Sequence, residues 1–289
     1  MNLPQAYGTF IKRGDHMFRT SAYIQWGDSA KSIGACLLLN PGSARWSEEL
    51  TDELNLSGTA QGSIRATDPT MKQLVRFMEK IHSSEDPING RFHLYNLFSL
   101  QETASKKAIA LFEHLVETGE YTISHSLIGM NELKSHPWIL LGWGVERNPH
   151  WKNLELIKKT WMNLIIQSKV PAFGKKHHQS DDYYHPCPLI PTQQPTVLAD
   201  LIKLYKETVE RAALPPNKMR YTLLKWNKEY GANAKFIVLD NRTNMQSLFT
   251  PGRVHDLFWF HSDLSNDPAI SNWDAFGEES FDDLEPIAF

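Results

Sequence analysis

Cysteine is nearly absent from this 289-residue chain: Cys36 and Cys187 are the only two. That excludes a disulfide framework, a four-cysteine zinc site and a cysteine-ligated iron–sulfur cluster, and it predicts a cytosolic protein. Long apolar runs are missing too, so no segment is expected to cross a bilayer. The start, MNLPQAYGTFIKRGDHMF, lacks the apolar core of a signal peptide. No internal repeat and no low-complexity segment occurs. Positive charge is absent from the end of the chain: eight of the 33 acidic residues and none of the 30 basic ones lie in 262–289. The rest therefore carries a surplus of five positive charges, compatible with a phosphate backbone but weak as an argument for one. What remains, 41% hydrophobic and 22% charged, is the composition of a soluble globular protein.

The stretch that organises the rest is Cys36-Leu37-Leu38-Leu39-Asn40-Pro41-Gly42-Ser43. Residues 33–39 form an apolar run that reads as a buried strand, stopped by the turn signal Asn40-Pro41-Gly42. In a parallel α/β sheet, ligands bind outside the carboxyl ends of the strands, so Asn40 is placed to meet one. Simple strand termination explains the same residues equally well. Residues 19–26 read as an edge strand. Lys12-Arg13-Gly14-Asp15 reads as a solvated turn, and the polar stretch 44–67 as a long loop. Asp68 caps a helix that begins at Pro69 and carries the apolar face Leu74, Val75, Phe77, Met78 and Ile81. A second strand, 91–98, has Asn96 near its carboxyl end. Residues 104–118 read as a helix, 138–141 as a strand closed by Gly142-Trp143-Gly144, and 151–168 as an amphipathic helix. A short strand at 170–173, a polar loop and a helix from 196 to 212 follow. Trp151 and Trp161 read as core.

Strands alternating with helices predict a three-layer α/β/α domain with a mostly parallel central sheet over residues 1–213. Leu214-Pro215-Pro216-Asn217 marks a boundary. Four short β-like runs (221–226, 235–239, 246–249 and 257–260) then predict a small β-rich appendage over 214–261, and 262–289 reads as an acidic disordered tail.

Asn40, Asn96 and His185 all fall at or beyond strand ends. Taken singly, each has a structural explanation; three at one sheet edge point to a site. The order Leu39-Asn40-Pro41-Gly42, Asn96 after an apolar strand, Leu140-Leu141-Gly142-Trp143-Gly144, then His185-Pro186-Cys187-Pro188-Leu189 resembles the uracil-DNA glycosylase superfamily over about residues 19–205. Mismatch-specific and single-strand-selective branches of that superfamily carry an Asn-Pro-Gly first motif. The same landmarks are similar to a small bacterial and phage family with Leu-Asn-Pro, Asp-Pro-Thr, Asn-Leu-Phe and His-Pro motifs in this order.

The resemblance implies a monofunctional DNA glycosylase that needs no metal or other cofactor. It implies that Asn40 positions the attacking water and that Pro41 and Gly42 let the backbone approach the nucleotide. Asn96 would read an edge of the flipped base, with Phe98 in the same pocket, and His185 would hydrogen-bond the base carbonyl or a nearby phosphate. Leu189, Ile190 and Gln193 would enter the duplex; Ser43, Lys175 and Lys176 would touch phosphate.

The chain departs from the pattern in three places. Asn40 stands where a stronger activator would be Asp, which makes Asp68 the candidate helper carboxylate beside its capping role. Cys187 replaces a Ser. No Phe or Tyr directly follows Asn40-Pro41-Gly42, so a pyrimidine with a C5 substituent is the expected target, such as a hypermodified base in invading phage DNA. Two rival readings stay open: hydrolysis of a free nucleoside or nucleotide, and a non-catalytic sensor of modified DNA. His177, His178, Asp181, Asp182 and His185 suggest a metal site or, more simply, a solvated polar loop. The ending Phe281 to Phe289 resembles the acidic tip of bacterial single-stranded-DNA-binding proteins, implying either docking onto repair or replication proteins or a solubilising tail.

Overall fold

A hairpin begins the sheet. Residues Gln5–Arg13 (β1) and His16–Trp26 (β2) pair antiparallel from Gln5↔Gln25 to Arg13↔His16, joined through Gly14, whose φ of 57° suits a tight turn. The computed structural model describes residues 3–42, 48–64, 68–82, 87–210, 221–226, 235–240, 245–249 and 285–286. Two compact units divide the chain, Met1–Arg211 and Ala212–Phe289.

In the first unit, Ser32–Leu38 (β3), Glu48–Ser57 (α1), Thr59–Ile64 (β4), Pro69–Ile81 (α2), Gly90–Asn96 (β5) and Ser105–Glu117 (α3) follow the hairpin. Then come Met130–Lys134 (α4), Ile139–Leu141 (β6), Lys152–Ser168 (α5), Ala172–Phe173 (β7) and Gln194–Tyr205 (α6). The seven strands form one mixed sheet in the order β4-β1-β2-β5-β3-β6-β7. Its β5-β3-β6-β7 half is parallel, and the pairings β4-β1, β1-β2 and β2-β5 are antiparallel.

Three expectations are thereby corrected. The sheet is mixed rather than mostly parallel, because a two-residue turn can join antiparallel neighbours whereas parallel ones need a crossover. Residues 19–26 belong to an interior strand, flanked by β1 and β5. The stretch 44–67 is no uniform loop, since 48–64 holds α1 and β4; the buried apolar residues there, among those described, are Leu50 and Leu54 of α1 and Ala60 and Ile64 of β4, too few to set a visible period.

Alternation along β3 splits the core. Cys36 and Leu38 join Phe77, Met78 and Leu201 from α2 and α6, while Ala35 and Leu37 join Phe112, Ile157 and Trp161 from α3 and α5. Trp161 is fully buried and Trp151 partly so. At the carboxyl edge, Leu97 N–H donates to Leu38 O (2.8 Å), and Gly142 N–H to Leu37 O (2.9 Å). A side chain at Gly142 would place its Cβ 2.6 Å from Pro186 Cδ, so glycine there lets the His185-Pro186 segment close against the end of β6.

In the second unit, Tyr221–Trp226 (β8), Phe236–Asp240 (β9) and Met245–Phe249 (β10) form an antiparallel sheet. Glu285–Pro286 (β11) adds to it in parallel, opposite Lys225 and Trp226. Those two tail residues are thus in a sheet, not disordered, because the open edge of β8 supplies their backbone partners. The rest of 262–289 and the expected strand at 257–260 lie outside the described residues.

Away from the carboxyl edge, a polar chain runs through the first unit. Ser32 Oγ lies 2.7 Å from His136 Nδ1, His136 Nε2 lies 2.8 Å from the Tyr95 hydroxyl, and that hydroxyl donates to Glu132 Oε1 at 2.8 Å. With Tyr95 donating to the carboxylate, its oxygen accepts from Nε2–H, leaving Nδ1 to accept from Ser32. Burial, aided by the neighbouring His93, lowers the pKa of His136 to about 4. An imidazole depressed in the folded state is protonated first in the unfolded chain, so stability is lost as pH falls from about 6.5 through 4. Thermal melts over that range should decline with the slope of about one proton from this residue, and His136→Gln should flatten the decline. Parallel curves for the two proteins would count against the assignment.

Candidate active site

A cavity of about 520 Å³ opens at the carboxyl ends of β3, β5 and β6. Asn40, Pro41, Gly42, Asp68, His185 and Leu189 all line it. The motifs are 145 residues apart from Asn40 to His185, and the parallel half of the sheet is what brings them to one place.

Asn40 follows β3, and its Nδ2 donates to the Glu102 carbonyl at 2.7 Å. That bond orients the amide and leaves Oδ1 with no hydrogen-bond partner among the described residues, an acceptor available to a water or a ligand. Asp68 caps α2: its Oδ1 accepts from Met71 N–H at 3.0 Å, with Pro69 in the first turn. Its negative charge also acts on Arg19, His185 and Cys187. The helix cap is therefore also a carboxylate of the cavity wall.

His185 Nδ1 lies 2.8 Å from Cys187 O and 3.2 Å from Cys187 N. Each contact belongs to one tautomer. A proton on Nδ1 donates to the carbonyl and leaves Nε2 an acceptor; a bare Nδ1 accepts the amide and puts the proton on Nε2. Burial lowers the pKa of His185, opposed by the Cys187 carbonyl and by Asp68, so the ring is neutral at pH 7. The Cys187 thiol is raised by burial first and by Asp68 second, against Arg76, which keeps it a thiol.

Leu189 is fully exposed at the cavity rim and Ile190 is half-exposed beside it, in a segment stiffened by Pro188 and Pro191. Two adjacent solvent-facing aliphatic residues at a cavity mouth are suited to apolar insertion. Ile190 and Gln193 do not line the cavity itself; Gln193 is exposed in a single 3₁₀ turn at Pro191–Gln193.

Several expected residues lie elsewhere. Phe98 is fully buried and stacks on Phe112 with ring centroids 4.4 Å apart, so it is core rather than a base contact. Asn96 is buried and its Oδ1 accepts from Arg19 Nη2 at 2.9 Å, placing it behind Arg19 rather than in the cavity wall. Lys175 and Lys176 are ion-paired with Asp200 (2.6 Å) and Asp181 (2.8 Å) and do not line the cavity. Ser43 lies outside the described residues.

Residues given no site role from sequence line the wall too, among them Arg19, Trp143, Glu146 and Lys158. Lys158 is buried and bonds Asp182 Oδ1 (2.8 Å) and Glu155 Oε1 (2.9 Å). Asp182 also accepts from Trp143 Nε1 (3.1 Å) and Arg147 Nε (2.7 Å). Burial pushes the Asp182 carboxyl up, but hydrogen bonds from Lys158, Arg147 and Trp143 outweigh it and hold the pKa at about 2. Asp182, read as part of a solvated loop, is thus a buried anchor; among the described residues no group of three or more His, Cys, Asp or Glu is arranged to hold a metal ion.

Fold and site together define an α/β protein with a largely apolar-walled cavity, carrying a few polar and charged groups, at the carboxyl edge of its sheet. No protein-family model, no curated protein and no solved structure matches the chain.

Proposed function

We propose that this protein is a three-layer α/β/α DNA glycosylase, a metal-independent hydrolase that removes a flipped pyrimidine and leaves an abasic site. The observation that carries the reading is the convergence of Asn40, Asp68 and His185 on one cavity with exposed Leu189 at its rim. Glycosidic bonds inside a duplex are hidden, so the base must be extruded at a cost of a few kcal/mol, and an apolar side chain can fill the gap. Leu189 takes that part.

In the cavity, Asn40 Oδ1 and Asp68 hold a water against C1′. The sugar–nitrogen bond breaks with its electron pair going to the base, the water oxygen bonds to C1′, and the water proton passes through Asp68 to the released base. His185, as its Nε2–H tautomer with Nδ1 accepting from Cys187 N–H, donates to a base carbonyl as charge builds there. Lys158 is held by two carboxylates and is not a nucleophile, so no strand cleavage through a Schiff base is expected.

Because no aromatic side chain follows Gly42 directly, the favoured substrates are C5-substituted pyrimidines, such as the modified bases of phage DNA, encountered in the cytoplasm. The acidic tail, with β11 seated on β8, is proposed to dock the protein onto replication or repair factors when released from that edge.

The test is base release from oligonucleotides carrying uracil, hydroxymethylated or glucosylated cytosine, or only unmodified bases. Abasic sites should form with a modified substrate, and Asn40→Ala should reduce their rate at least about 100-fold. Retained DNA binding without release from any substrate would turn the reading to a non-catalytic sensor; release only from free nucleosides or nucleotides would turn it to a nucleotide hydrolase.

A further inference from the structure

Arg19 is a buried cation in the wall of this cavity that the roles above do not use. It reaches the cavity through a β-bulge. The β1–β2 register shifts at Thr20, so that Thr9 faces Ser21 while Phe10 faces Arg19. Strict alternation from Trp26, Ile24 and Ala22 would carry Thr20 and Phe18 to that face of the sheet. The extra residue puts Arg19 there instead, beside Phe10 and on the side of Leu38 and Leu94, and sends Phe18 to the other core.

A guanidinium presents its donors as a planar fork. One, Nη2–H, goes to Asn96 Oδ1; Nε and Nη1 meet no hydrogen-bond partner among the described residues. No carboxylate of the described residues is within ion-pair distance of Arg19, and Asp68 acts on it only across a longer gap. Arg19 is only 6% exposed, and burial lowers its pKa to about 10, so it remains a cation at neutral pH. Behind it, Asn96 Nδ2 is buried without a partner as well. A buried cation lacking a close counter-charge is costly unless a ligand brings one.

We propose that Arg19, aimed by the bulge and steadied by Asn96, is a specificity-determining residue that makes the cavity prefer a planar ring bearing negative charge on adjacent acceptors. Resting on the glycosylase reading, that ring is the departing pyrimidine as its anion. The electron pair of the broken sugar–nitrogen bond resides on the ring until the proton of the attacking water reaches it, and Arg19 meets that charge with its free donors.

The experiment is calorimetric titration of the full chain with free 5-nitrouracil, which is ionised at neutral pH, and with thymine, which is neutral and carries a substituent at the same carbon. Binding of the ionised ring should be at least about tenfold tighter. Arg19→Gln should bring the two affinities within about twofold. So should Asn96→Asp, which keeps the arginine but places a carboxylate on its Nη2 and neutralises it; its thermal midpoint should not fall. Equal affinities in the unaltered protein, or binding of neither ring, overturn the proposal. Displacement of 5-nitrouracil by equimolar inorganic phosphate overturns it as well, by making Arg19 a phosphate contact. Base release from DNA is scored separately. Release without the anion preference sinks the role of Arg19 alone. The preference without release upholds that role and sinks the glycosylase reading.

Discussion

Replacing Asp182 with alanine is expected to lower the stability of the first unit by about 3–5 kcal/mol, the usual cost of stripping one partner from a buried ion pair. Lys158 is the reason. Its side chain is 6% exposed and its ammonium bonds Asp182 at 2.8 Å; without that carboxylate it keeps only Glu155, whose own side chain is 41% exposed. Trp143 Nε1 would lose its acceptor at the same time. Arg147, 55% exposed, simply turns to water and adds little. Urea unfolding of the full chain measures the effect, and a loss under about 1 kcal/mol would show that the network is not what holds this corner.

The acid limb gives an independent check. Asp182 is depressed to about 2, below the unfolded value near 3.9, so its contribution is complete above pH 4 and disappears as pH falls through 2. Asp182→Ala should therefore remove the part of the acid unfolding that lies below pH 4. The part that lies between about 6.5 and 4, to which His136 contributes together with His93 and His185, should remain.

Asp68 offers the sharpest separation of structure from chemistry. Asp68→Asn keeps an oxygen for Met71 N–H, and asparagine caps helices as well as aspartate does, so stability should change by less than about 0.5 kcal/mol. Asp68→Ala removes the cap and should cost about 1 kcal/mol. If the carboxylate takes the water's proton, both variants should lose base release by about 100-fold or more, because neither can accept a proton. Urea unfolding and an abasic-site assay on the same preparations read the two effects. An asparagine variant with full activity would leave Asp68 as a helix cap only.

Much of the site could be read along the chain, because the parallel strands announce themselves. Residues 33–39 and 91–98 are apolar runs with a polar residue near the carboxyl end, and the rule that ligands gather beyond such ends groups Asn40, Asn96 and His185; the cavity is lined by Asn40 and His185, whereas Asn96 lies behind Arg19. The helix start at Asp68-Pro69 was equally plain, since cap and proline act within one turn.

The antiparallel half was less visible. Among the described residues, its outer strand β4 and the helix α1 bury two apolar residues each, and β2 reads as an edge strand until β1 and β5 are seen on both sides of it. Phe98 sits just past the end of β5 near the motif residues, yet it packs on Phe112, because direction at a strand end depends on where the chain turns.

Local sequence determined where the parallel strands run and end and where the helix after Asp68 starts, since those properties follow from periodicity, capping and turn residues within a few positions. The tertiary structure alone decided that Arg19 faces the cavity and that Asp182 is a buried anchor. The first depends on a single extra residue opposite β1, which reverses the side on which a side chain emerges; the second depends on Lys158, Trp143 and Arg147 arriving from distant parts of the chain.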